Sequence, residues 1–213
     1  MTNQPGSDKN AGPPAEPTDP PGLRRVVRWV AALNLSYFGV EFAVALAIGS
    51  VSLFADSIDF LEDTTLNLLV LVSIGRSLRR RSVVGMVLAG ILLAPGVATI
   101  WMAVMKFRQP AAPEAIPLSA AGAGAFAVNF ICAVLLARFR RRGGSLTRAA
   151  FLSARNDVLA NIAIIGAGAL TAATLTPWPD LVVGLGIFLM NLGAAGEVYG
   201  AARRERSLAT AEP

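Results

Sequence analysis

Apolar residues fall in six long runs along this chain, separated by short polar or basic stretches. Each run is close to the roughly 20 residues that a helix needs to cross a bilayer. The pattern predicts helices over about 24–48, 51–75, 82–105, 117–138, 145–172 and 181–201. Gly49-Ser50 reads as a tight turn between the first two, and Pro95-Gly96 should kink the third. A Pro-rich loop, MKFRQPAAPEAIP, leads to the fourth, whose start is rich in Ala and Gly and suits close helix packing. Thr176-Pro177-Trp178-Pro179-Asp180 reads as a short interfacial turn before the sixth. Residues 1–22 are Pro, Gly and polar, read as a disordered tail, and do not resemble a signal peptide. The expectation is an all-α integral membrane protein. Six transmembrane helices form one domain over 23–204, and a short tail follows over 205–213.

The polar positions inside these runs change the picture. The second run carries Asp56, Asp59, Glu62 and Asp63. Acids inside a membrane span are costly and mark function more often than packing. Asp59 and Asp63 are four residues apart and so stack on one helical face. Two stacked carboxylates make a half-site for a divalent cation. In the first run Asn34, Tyr37 and Glu41 share a face by helical spacing. In the fourth, Asn129 either satisfies a neighbouring backbone group or reaches an ion path. The fifth contains SARND, in which Ser153, Asn156 and Asp157 share a face. The sixth carries Asn191 and Glu197.

Depth brings the second and fifth runs together. At 1.5 Å per residue, Asp59 and Asp63 lie about 14–20 Å from one surface, and Ser153 and Asp157 about 12–18 Å from the other. In a core about 30 Å thick the two sets meet near the midplane. Three carboxylates with Ser153 or Asn156 as a further oxygen then form a cation site. The competing reading is that the acids pair with arginines or help helices associate, with Glu62 and Arg155 as one such pair.

Composition and charge narrow the class. The mean hydropathy is +0.56 and the hydrophobic fraction 54%. A net charge of +5 and a pI near 10.3 would suit nucleic acid, but the basic residues sit at the ends of apolar runs and form no continuous face. Of the 19 Lys and Arg, 15 flank the N-terminal end, the 2–3 loop, the 4–5 loop and the C-terminal end, whereas the opposite loops hold Lys106 and Arg108. The positive-inside rule then places both termini in the cytoplasm. Cys132 has no cysteine to pair with and reads as an apolar bystander. There is no histidine, which removes the commonest zinc ligand and proton shuttle.

Several of these residues resemble the cation diffusion facilitator family, the proton-coupled exporters of divalent metals. GSVSLFADSIDFLED is similar to that family's second-helix signature, with Asp59 and Asp63 on its ligand positions. SARNDVLAN resembles its fifth-helix motif and places Ser153, Asp157 and Asn161. Asn34, Glu41, Asn129 and Pro179-Asp180 match further family positions. Ser153 stands where the family has His or Asp, and only 205–213 stand where its cytoplasmic metal-binding domain follows. The resemblance implies a transporter in the inner (plasma) membrane that exports a divalent cation by proton antiport. Its site is Asp59, Asp63 and Asp157 with Ser153 or Asn156. The oxygen set suits Mn²⁺ or Fe²⁺, and carboxylates bind Zn²⁺ too. The metal is substrate and no cofactor is implied. The partners are the cation, protons and the bilayer, a homodimer is allowed, and nucleic acid is not expected. Two other readings stand beside it. One is a non-transporting relative with a degenerate site. The other is a CDP-alcohol phosphatidyltransferase, whose pattern contains an Asp-Gly that this chain lacks.

Overall fold

A computed structural model describes residues 20–73, 97–141 and 144–190. Among these residues the chain forms six helices and no strand: α1 Leu23–Ile48, α2 Val51–Ser73, α3 97–108, α4 Ala115–Ala137, α5 Gly144–Thr174 and α6 Trp178–Met190. The expected kink at Pro95-Gly96, the arginines of the 2–3 loop, Asn191, Glu197, 1–19 and 205–213 lie outside the described residues.

α6 begins earlier than the sequence pattern suggests. Trp178, Pro179 and Asp180 form its first turn, and Leu181 N–H already donates to Pro177 O at 3.0 Å. Proline is tolerated there because the first N–H groups of a helix have no partner within it. The stretch read as a turn through Asp180 is therefore partly helix.

Among the described residues, three segments are long and apolar enough to cross a membrane by length and composition: α1, α4 and Thr147–Thr174 of α5. Their outward faces show large apolar side chains, among them Trp29, Val40, Phe130, Val134, Leu159 and Leu170. Such faces suit hydrocarbon. α2 is comparable in length but carries four acids, and it is largely buried.

α1 and α2 are joined by a turn in which Gly49 takes φ +61, the left-handed conformation that glycine adopts without strain. α4 and α5 pack closely as a second pair. α1 also packs on α4, and α2 on α5, so the four helices form a ring. The ring is layered. At one end Val27, Val30, Leu66, Val70, Leu136 and Ala154 form an apolar layer. At the other, Ala45, Leu53, Phe54, Leu118, Ala160 and Ile164 form a second. Between them lie the buried side chains of Asn34, Glu41, Asp63, Asn129, Asp157 and Asn161. The helices thus bury a polar stratum and seal it above and below.

Candidate cation site

The start of α2 fixes the height of its acids. Ser50 caps the helix, its Oγ accepting Leu53 N–H at 3.1 Å. The next donors are met from another helix. Asp180 Oδ2 accepts Val51 N–H at 2.9 Å, and Asp180 Oδ1 accepts Ser52 N–H at 3.1 Å. Asp180 Oδ1 also accepts the hydroxyls of Ser50 and Ser52, both at 2.6 Å. A fully buried carboxylate on α6 therefore completes the cap of α2. The α1 side of the same turn is held by Lys106, whose Nζ donates to Gly49 O at 2.6 Å. Sequence reasoning placed Asp180 only at the entry to the sixth helix. A partner 128–130 residues away leaves no local signal.

From this anchor α2 presents Asp59 and Asp63 toward α5. Asp63 is buried and its carboxyl faces Ser153 and Asp157 on α5. Asn34 Nδ2 donates to Asp63 Oδ2 at 3.4 Å from α1. Cys132 Sγ on α4 in turn donates to Asn34 Oδ1 at 3.5 Å, which fixes that amide with its NH₂ toward the carboxylate. Asp59 lies one turn before Asp63 on the same face of α2. Asp59, Asp63, Ser153 and Asp157 are thus brought to one interface.

Asn156 is not brought there. Its side chain is exposed, and its Oδ1 accepts Arg155 Nη2 at 3.3 Å. The buried stripe of α5 runs through Ala150, Ala154, Asp157, Ala160, Asn161 and Ile164. At about 100° per residue, Ser153 lies on the edge of that stripe and Asn156 beyond it. Arg155 is exposed too, while Glu62 is half-buried. Among the described residues, no three Asp, Glu or Cys side chains converge closely enough to hold one metal ion between them.

A second polar group lies about one turn nearer the α1–α2 loop. Asp56 Oδ2 accepts Asn161 Nδ2 at 2.7 Å, and Asn161 Oδ1 accepts Asn129 Nδ2 at 3.2 Å. Of the two roles the sequence leaves open for Asn129, its amide takes a third: it bridges to a side chain on α5. Glu41 reaches Asp56 from α1. The pairing of Glu41 with Asp56 was missed. A usable signal existed, because Glu41 stands eight residues before Gly49 and Asp56 seven after it, which puts them at one depth in a helical hairpin.

Membrane-length helices ringed around a buried, carboxylate-bearing layer define a helical membrane protein. The chain belongs to the cation efflux family: the family profile described as the cation efflux transmembrane domain matches residues 27–202. Members of this family are transporters rather than enzymes. None of the curated proteins matches the chain.

Proposed function

We propose that this protein exports a divalent cation from the cytoplasm across the plasma membrane in exchange for protons. The cation sits between α2 and α5, held by Asp59, Asp63 and Asp157 with the Ser153 hydroxyl as a fourth oxygen. The observation that carries the reading is the burial of Asp63 on α2 and Asp157 on α5 in the same polar layer, with Asn34 donating to Asp63 Oδ2. Mn²⁺, Fe²⁺ and Zn²⁺ are the substrates that such an oxygen set accepts. Coupling follows from the ligands. A carboxylate must be free of its proton to bind metal, so cation entry releases protons and cation exit recovers them. In this reading both termini face the cytoplasm, which the distribution of Lys and Arg supports.

One observation favours a second reading. The carboxylates do not converge on a single point among the described residues, and Ser153 supplies a hydroxyl rather than a charge. A relative that has lost transport fits both facts. Purified protein in proteoliposomes separates the two. Proton flux stimulated by Mn²⁺, Fe²⁺ or Zn²⁺ supports export. Flux no greater than in empty liposomes for all three ions supports the second reading.

A further inference from the structure

Glu41 and Asp56 form a pair that the cation site does not use. Both are completely buried. Their carboxyl groups face each other across the α1–α2 interface within hydrogen-bonding reach. Among the described residues, neither oxygen of Glu41 has a donor, and neither does Asp56 Oδ1. Asp56 Oδ2 alone is satisfied, by the amide of Asn161.

Three buried carboxyl oxygens without a donor need a cation between them. No Lys or Arg among the described residues supplies it. The titratable groups facing the pair are Tyr37 on α1, Asp59 and Asp63 on α2, and Asp157 on α5. From α4 and α5 come the neutral amides of Asn129 and Asn161. The apolar layer around Phe54 and Ile58 includes Ala98 and Met102 of α3 and Val183 and Ile187 of α6. Tyr37 is engaged elsewhere, its hydroxyl donating to Ala121 O at 2.6 Å. A metal ion would find too few ligands here, because among the described residues no third acidic side chain comes close enough to share it with the pair. A proton needs only two oxygens.

We infer that Glu41 and Asp56 form a dedicated proton site, separate from the cation site, in which Glu41 carries the proton and donates it to Asp56 Oδ1. The hydrogen bonding sets this asymmetry. Asn161 stabilises Asp56 as the anion, whereas nothing stabilises a charge on Glu41. The site also has a link to the cation. Asn161 lies four residues, one helical turn, beyond Asp157 on the same buried stripe. A shift of α5 on binding a cation therefore moves the amide that holds Asp56.

The test is infrared spectroscopy on the full-length purified protein. The parent minus Glu41→Gln difference spectrum should show loss of a protonated-carboxyl C=O band. Glutamine keeps the shape of the side chain and still offers Asp56 a donor, so the fold is retained. Parent protein grown on carboxyl-labelled glutamate provides the same reading without any substitution: the band should shift with labelled glutamate and stay in place with labelled aspartate. A spectrum unchanged by Glu41→Gln, or a band that follows the aspartate label, overturns the proposal. In proteoliposomes, and resting on the export reading, Glu41→Gln should keep cation flux down its own gradient and lose the response to an imposed pH gradient. Absence of cation flux in the parent would sink the export reading alone and leave the infrared result standing.

Discussion

Asp63 lies among polar side chains from two other helices, accepting from Asn34 on α1 and facing Ser153 and Asp157 on α5. Replacing it with Ala removes a charge that no neutral neighbour restores, and so does Asp157→Ala. Both variants should insert normally and show no metal-stimulated proton flux in proteoliposomes. Ser153→Ala should weaken cation binding less than either, because a neutral hydroxyl is a weaker ligand than a carboxylate. Binding isotherms on the three proteins check this order. Ser153→His places a nitrogen beside Asp63, and the ratio of Zn²⁺ to Mn²⁺ transport should then rise. An unchanged ratio would put Ser153 outside the cation's shell. At this scale the sequence was legible where period alone decided the outcome. Four-residue spacing stacks Asp59 on Asp63 and Ser153 under Asp157. Asn156 misled because it shares a face with Ser153 but not with the stripe that α2 covers. Only the position of the neighbouring helix decides between those two.

The α1–α2 hairpin shows what an element adds. Asn34 meets Asp63, Tyr37 stacks near Phe60 with ring centroids 5.1 Å apart, and Glu41 meets Asp56. Each pair lies symmetrically about the Gly49-Ser50 turn. The turn was visible in the sequence, so the pairing followed from it by counting. The clamp on the turn did not follow, because α6 provides it. A Cβ added to Gly184 would stand 2.7 Å from Ser52 N and from Val51 C, which are backbone atoms that cannot step aside. Gly184→Ala should therefore lift α6 off the start of α2 and cost about 1–3 kcal/mol. Asp180→Ala leaves two backbone N–H groups and two hydroxyls without their acceptor, and should cost on the order of 3 kcal/mol. Thermal unfolding in detergent measures both. A Gly184→Ala protein as stable as the parent would mean that α6 is not seated on that turn.

Across the described residues, two apolar layers enclose a polar one, and most of the chain's basic residues flank the apolar runs. The charge pattern predicts sidedness. In a Cys132→Ser background, a cysteine placed near Arg141 should resist impermeant thiol reagents applied to intact cells, and one near Pro113 should react. Labelling near Arg141 from outside would invert the orientation. Hydropathy made the helices and the family legible, because membrane length and acidic spacing are local properties. The layering was not legible, since it depends on which faces the ring turns inward. The cap on α2 also has a consequence for how the protein is made. Asp180 leaves the ribosome 128 residues after Ser52, so for most of synthesis the first turn of α2 has no carboxylate to receive it. α2 is also too acidic to rest alone in lipid. The first hairpin is therefore finished among the last parts of the protein, although it is made first. A chain ending at Thr174 should still insert α1, α4 and α5 yet remain open to protease at Gly49-Ser50, and adding residues through Met190 should close it.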